Sequence, residues 1–560
     1  MIHQNATSSQ RKKAPVKKLH SLFLTTAFSL TCLLTPSNAA VVHRDVDGPY
    51  ITKGADGKLS YKPYTNKGDV IMDFSYAGYK ASEVPIPDVP TAVKVELLPG
   101  EAKQVGKLKY PVGPDSRAII QAAINKVDAM PADENGYKGA VELAAGIFYV
   151  KGGLDIYSGV VLRGQGDEQG GTSIIFNYPQ ATAITMGRVF RDVVDEESTT
   201  RITDAYVPSG TNSVNVESAH GYAVGDTIRV TRTTNNAWIK FLGMDFSGTD
   251  TRPWTPDSFR MNHVREITNI DGNRIDFKIP LAQSFAKELG GGEVTKIKAT
   301  IAESNMGLEK IRIISNYDPS IEAMMRSNRP YPADEENTFN AGVSITGLNS
   351  WVRDCTVMHA SLAPFWMRSS RFVTVRDCES LAPVSVVRGG RRYSFSNSGA
   401  AMALVYNCHA EYGRHDYVTG ARTTGPMAFV RSTAKNAYAN SEPHQKWASG
   451  VLYDNIDMEG GGGVFAGNRK QMGSGHGWSG VNCVLWNCEA PMIKVENPPT
   501  PEQNFSIGSI ATEPRSSRTT GFQGDGYFES TDTNVQPDSL FEAQLIDRIG
   551  KEQASLVLGL

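Results

Sequence analysis

Val373-Thr-Val-Arg-Asp-Cys-Glu-Ser380 is flanked by two near copies of itself, Trp351-Val-Arg-Asp-Cys-Thr-Val357 before it and Ala403-Leu-Val-Tyr-Asn-Cys-His-Ala410 after it. Their cysteines, Cys355, Cys378 and Cys408, are spaced by 23 and then 30 residues, which is one coil of a β-solenoid plus a loop of variable length. A fourth copy, Ala428-Phe-Val-Arg-Ser-Thr-Ala434, puts Ser432 at the cysteine position a further 24 residues on. Side chains alternate in direction along a strand, so these positions point inward and stack coil upon coil. The cysteines therefore read as a ladder of small buried residues. With Cys32 in the leader, Cys483 and Cys488 leave an odd number in the mature chain, which argues against a disulfide framework, and no spacing resembles a closed zinc site.

Working outward, residues 115–127 open on a capping residue and carry apolar residues at helical spacing, which predicts a short amphipathic helix. Gly139-Ala-Val-Glu-Leu-Ala-Ala-Gly-Ile-Phe-Tyr-Val150, Leu154-Asp-Ile156 and Gly159-Val-Val-Leu-Arg-Gly-Gln-Gly166 follow as short strands punctuated by glycine. This succession resembles the N-terminal end of the pectate-lyase-like β-helix superfamily, where a capping helix precedes the first coils. The resemblance implies an all-β, single right-handed parallel β-helix. Between about 200 and 298 the texture changes to alternating strands with an Asp-Gly-Asn turn at Asp271, predicting a small antiparallel β insertion. The expected organisation is a signal peptide over 1–39, an N-terminal extension over 40–104, the β-helix over 105–500, and a tail over 501–560 whose last helix, near Ser539–Gly550, covers the solenoid's end or side.

Residues 11–18 hold Arg11, Lys12, Lys13, Lys17 and Lys18, then comes an apolar run from Leu22 to Leu34 and Ser37-Asn38-Ala39 before Ala40. That is the layout of a secretory leader, so a secreted or periplasmic protein is expected, with no membrane span. A formal net charge of -2 leaves no global basic excess for nucleic acid, so any basic site must be local.

In a solenoid the coils are structural and function belongs to the loops leaving one face. Three loops follow the ladder positions: Val386–Tyr393, Glu411–Tyr417 and Asn440–Trp447. They gather Arg388, Arg391, Arg392, Tyr412, Arg414, His415, Asp416, Tyr417, Glu442, His444, Lys446 and Trp447, and the glycine-rich turn Gly462–Trp478 adds Asn468, Arg469, His476 and Trp478. Local cations with imidazoles and aromatic platforms suit an acidic polysaccharide. These phrases also resemble bacterial secreted β-helix proteins of the pectate-lyase-like kind over residues 105–550, although the calcium-binding aspartate cluster of pectate lyases is missing.

β-Elimination of a uronate chain needs a cation for the carboxylate, a base for the C5 proton and an acid for the departing oxygen. Hydrolysis needs two carboxylic acids flanking the bond. The inventory favours a polysaccharide lyase. In the expected scheme Arg391 or Arg392 neutralises the carboxylate, His415 is the base oriented by Asp416, His444 or Tyr412 serves the leaving oxygen, and Lys446 is the alternative base. Arg388, Arg414, Tyr417, Glu442, Trp447, Asn468, Arg469, His476 and Trp478 bind substrate. No metal or cofactor is required by this scheme, with calcium left open. A β-helix glycoside hydrolase using Asp416 and Glu442, and a non-catalytic glycan-binding surface solenoid, are the alternatives.

Overall fold

The computed structural model describes residues 44–516 and 518–560. The leader assigned to residues 1–39 lies outside the described residues. The repeat folds into strands Ala341–Met358, Ala363–Leu381, Tyr393–Tyr406, Thr424–Lys435 and Ala448–Glu459, each pairing in parallel with the next. Because parallel pairing sets equivalent positions over one another, single rows run the length of the molecule. One row is Val141, Leu162, Leu308, Val352, Val375, Val405, Phe429, Tyr453 and Leu485, every member buried. Such burial contributes about 1.5–3 kcal/mol per large apolar side chain. The chain is a parallel β-helix.

The cysteine row stands in register, with Cys355 opposite Cys378 and the Cys408 backbone N–H donating to Ser432 Oγ at 3.1 Å. All five described cysteines are buried free thiols. The residue before each of these positions explains the repeated Asp/Asn-Cys pair. Asp354 (φ 54), Asp377 (φ 52), Asn407 (φ 52), Asn455 (φ 53) and Asn487 (φ 49) are all left-handed, the conformation that aspartate and asparagine tolerate best after glycine. Each makes a one-residue corner, so the ladder residue starts a new face of the coil.

Parallel pairing begins at Thr91–Val95 and continues to Tyr527–Glu529, so the coils extend past both ends of the 105–500 span. The helix over Arg117–Asp128 sends Ile120, Ile124 and Val127 into the core of the first coils. The insertion starts at Phe190, ten residues earlier than the sequence suggested, and forms a six-stranded sheet, largely antiparallel, with its own core around Ile228, Val230 and Phe277. A second apolar row, Leu404, Ala428, Leu452, Val484 and Phe505, faces outward and is covered by Phe74, Phe541 and Leu545. The helix Leu540–Ile549 thus lies along the flank of the solenoid. It is pinned there by Asp454, whose Oδ2 accepts from Phe541 N and Ser539 Oγ, each at 2.8 Å. No helix among the described residues is long and apolar enough to cross a membrane.

Candidate active site

Phe365, Phe395 and Tyr417 stack inside the coils with ring centroids 5.0 and 5.5 Å apart. Two residues upstream on the latter two coils sit Tyr393 and His415, paired in register. They start a second ladder at the edge of the sheet. Tyr393, His415, His444 and His476 follow coil by coil with centroids 5.1, 4.7 and 4.9 Å apart, the spacing of adjacent strands.

A polar chain runs through this ladder. Arg414 Nη1 donates to the Tyr393 hydroxyl at 3.2 Å, and that hydroxyl lies 3.2 Å from His444 Nε2. On the other side of the imidazole, Nδ1 is 3.0 Å from Glu442 Oε1, whose second partner is Arg469 Nη1 at 2.6 Å. His415 Nδ1 donates to the Asn440 carbonyl at 2.7 Å, because a carbonyl can only accept. Its buried Nε2 is therefore a bare nitrogen with no protein partner. Burial pulls His415 down to about 3, against the opposing charge of Glu442, and pulls His444 to about 3 and His476 to about 4 with help from neighbouring cations. All three rings are neutral at physiological pH. Burial pushes the Glu442 carboxyl up, while His415 and Arg469 oppose the shift.

The structure brings His415, Glu442, His444, Arg469, Arg414 and His476 together, and it disperses the rest of the expected set. His415 is on the strand His415–Thr419 and 2% exposed, so it is not on a loop outside the coils. Asp416, its neighbour in the strand, points to the other side and hydrogen-bonds Ser394 Oγ at 2.6 Å; it does not orient His415. Arg392 is 3% exposed and committed to the carbonyls of Ser385, Pro332 and Tyr412, so it is no carboxylate neutraliser. Arg391 is paired with Glu335 at 2.7 Å. Tyr412 is exposed and contributes its carbonyl to Arg392, and Arg388 lies exposed in its loop. Tyr417 belongs to the core, its hydroxyl donating to Thr433 O at 2.6 Å. Trp447 and Trp478 face the insertion, where they pack with Trp238, Trp254 and Phe259. Asn468 shapes its turn, its side chain accepting from Lys470 N at 2.7 Å. Lys446 sits at the far end of the ladder, donating its backbone N–H to His476 O; burial, Arg422 and Arg252 lower its pKa.

Sequence reasoning passed over Tyr393, although Tyr393-Ser-Phe395 and His415-Asp-Tyr417 are the same polar-ring-then-core-ring phrase one coil apart. It also passed over the walls of the adjoining cavity. That cavity, about 570 Å³, is lined by Met324, Met325, Arg326, Tyr331, Tyr438 and Arg414 among others, and Arg414 links it to the Tyr393 hydroxyl.

Asp416 is wholly buried, and burial pushes its carboxyl up to about 7. The folded state therefore holds a proton that the unfolded state has released between about 3.8 and 7, so this group's contribution falls as pH rises through that window and levels off above it. Asp416→Asn is expected to raise the urea midpoint above pH 7, to change it little near pH 4, and to retain activity. Loss of activity with a normal fold would restore Asp416 to the chemistry.

His415, Glu442 and His444 offer three ligand atoms within 4.8 Å of one another, close enough for a metal ion. The place of the ion is taken by Arg469, whose Nη1 is 2.6 Å from Glu442 Oε1 and 2.5 Å from His444 Nδ1. A donor set of two imidazoles and one carboxylate is also unlike the roughly six to eight oxygens that calcium takes. The residues present do not fit a resident calcium ion.

No family model matches this chain, and no curated protein matches it. Among solved structures the chain is similar to the tailspike gp49 of Pseudomonas phage LKA1, at 14% identity and a TM-score of 0.38 over 74% of this chain and 56% of that one. It is also similar to the gp54 tailspike of Acinetobacter baumannii bacteriophage AP22, solved with a capsular saccharide, at 10% identity and a TM-score of 0.31 over 73% of this chain and 68% of that one. A third likeness is the A-module of the Azotobacter vinelandii mannuronan C-5 epimerase AlgE4, at 12% identity and a TM-score of 0.30 over 76% of this chain and 94% of that one. The chain thus spans little more than half the length of the LKA1 tailspike. At such scores these likenesses carry nothing about substrate or chemistry, and it is the strand register itself that makes this chain a parallel β-helix protein.

Proposed function

We propose that the protein is a secreted or periplasmic polysaccharide lyase that cleaves an acidic, uronate-containing chain by β-elimination. The observation that carries this reading is the Arg414, Tyr393, His444 chain, backed by Arg469 and Glu442, which ends beside a cavity with two arginines. In the neutral imidazole one nitrogen carries the proton. Arg469 Nη1, which can only donate, lies 2.5 Å from His444 Nδ1, so Nε2 carries the ring proton and points it at the Tyr393 oxygen, which reacts as a phenolate held between this N–H and the Arg414 guanidinium. The phenolate takes the C5 proton of the uronate, whose carboxylate is neutralised by Arg414. The C5–H electron pair becomes the C4=C5 double bond, the C4–O bond breaks, and the departing oxygen receives the proton that Tyr393 has just gained. No step calls for a metal or cofactor.

Hydrolysis by Asp416 and Glu442 finds less support, because both are buried, one against Ser394 and the other against Arg469. The test is a screen of purified protein against pectin, alginate, glucuronan and ulvan, following the ultraviolet absorbance of the 4,5-unsaturated uronate and the release of reducing ends, with and without a chelator. The expected result is both signals, unchanged by chelation. Reducing ends alone point to hydrolysis; binding without either signal points to a glycan-binding solenoid.

A further inference from the structure

The cavity beside Tyr393 has one wall that the coils do not supply. It is the hairpin of strands Glu322–Met324 and Pro330–Pro332, an excursion between two coils that brings Met324, Met325, Arg326 and Tyr331 over the cavity. This wall is anchored. Arg392 donates to Pro332 O at 3.4 Å and, on the coil side, to Ser385 O at 2.7 Å, while its guanidinium lies 5.2 Å from the Tyr331 ring and 5.6 Å from the Tyr438 ring. Beyond the hairpin, Glu335 accepts from Arg391 and from Val386 N at 2.9 Å, and Val387 N donates to the Tyr331 hydroxyl at 3.3 Å. Four hydrogen bonds tie this wall to the coils, and a buried arginine lies between its tyrosine and Tyr438.

The charges in the cavity are of one sign. No carboxylate lines it, and neither Arg326 nor Arg414 is within ion-pair distance of one among the described residues, whereas Arg391, Arg392's neighbour, is paired, as are Arg371, Arg431 and Arg469. Two unpaired guanidiniums facing two tyrosine rings form a place for a ring-shaped anion: charge at one edge, C–H face against the aromatic surface. Arg414 also touches the Tyr393 hydroxyl, so the anion held here adjoins the reacting bond.

We propose that this cavity is the subsite for the acidic sugar next to the scissile bond, that Arg326 is its specificity-determining residue, and that Arg392 is a positioning residue that holds the hairpin wall. The inference rests on the lyase reading for the word scissile, but its binding content stands apart and is tested apart. Arg326 is exposed at the hairpin turn, so its replacement leaves the fold alone.

The experiment uses the Tyr393→Phe protein, which should bind without turning over, titrated by calorimetry with glucuronan and alginate tetrasaccharides and with neutral cellotetraose. Adding Arg326→Ala should weaken the better acidic ligand about tenfold and leave the neutral sugar unchanged, and Arg326→Lys should recover most of the loss. In the active protein Arg326→Ala should raise KM with kcat unchanged, the sign of an interaction made equally in the ground and transition states. Arg392→Lys, which keeps the charge but not the fork of donors, should raise KM at temperatures well below its melting midpoint, with the circular dichroism spectrum unchanged and the midpoint lowered by the buried carbonyls it leaves unpaired. Equal affinity with and without Arg326, or binding of neither acidic tetrasaccharide, overturns the subsite. If Arg326→Ala shows the expected loss while the parent releases no unsaturated product, the subsite holds and the lyase reading fails; the reverse pattern separates them the other way.

Discussion

Tyr393→Phe is expected to lower turnover by about three orders of magnitude and to leave folding and substrate affinity in place. The size follows from the loss of a positioned group that serves as base and then acid, a change typically worth about 10²–10⁴ in rate. Folding should survive because the ring, which supplies the ladder contacts to His415 and His444, is retained and only the hydroxyl goes. That hydroxyl is hydrogen-bonded to Arg414 and His444 rather than to backbone, so no strand loses a partner. The unsaturated-uronate assay reads turnover, and calorimetry on the same preparation reads affinity. Activity within a few-fold of the parent would remove Tyr393 from the reaction and return the choice of base to His415, whose bare Nε2 is the next candidate. His359 is the control. It is buried outside this ladder, with Nδ1 against the Ala382 carbonyl at 2.9 Å and Nε2 against the Tyr110 hydroxyl at 3.0 Å, so its replacement should affect stability before turnover.

How far the sequence reaches is decided by range. The coil register was legible because each coil repeats a local phrase, and the Asp354-Cys355, Asp377-Cys378 and Asn407-Cys408 pairs encode both a left-handed corner and an inward small side chain. The neighbourhood of His415, His444 and His476 was legible for the same reason: equivalent positions of adjacent coils must lie over one another, which puts these rings in one ladder. Alternation along a strand also held the correction for Asp416, since neighbours in a strand face opposite ways and one cannot orient the other. What local pattern cannot carry is which arginine is paired. Glu335 claims Arg391 from 56 residues away, Pro332 claims Arg392, and the insertion sends Trp238 against Trp447. Arg414 and Arg392 look alike in sequence, and only the distant hairpin leaves one open to the cavity and locks the other beneath it.

The largest effect on stability is expected at Glu442. Its carboxylate is 2% exposed and faces Arg469, itself 8% exposed, at 2.6 Å. Glu442→Gln removes the negative charge and leaves a mostly buried guanidinium without its counter-ion, a change that typically costs about 3–5 kcal/mol. The same substitution frees Arg469, the donor that holds His444 Nδ1, so turnover should fall as well. Stability and chemistry can be separated by also removing the stranded charge. In Glu442→Gln/Arg469→Met no ion remains to be buried, and the urea midpoint should recover most of the way to that of the parent, because replacing a buried ion pair by uncharged groups is often close to neutral. Turnover should stay low in the double variant, since no donor then fixes the imidazole whose Nε2 faces the Tyr393 oxygen. A double variant as unstable as Glu442→Gln would mean that the packing of Glu442, and not its charge, supports this edge of the coils. A double variant with restored turnover would show that His444 needs neither Arg469 nor Glu442, and the chain would then end at the imidazole.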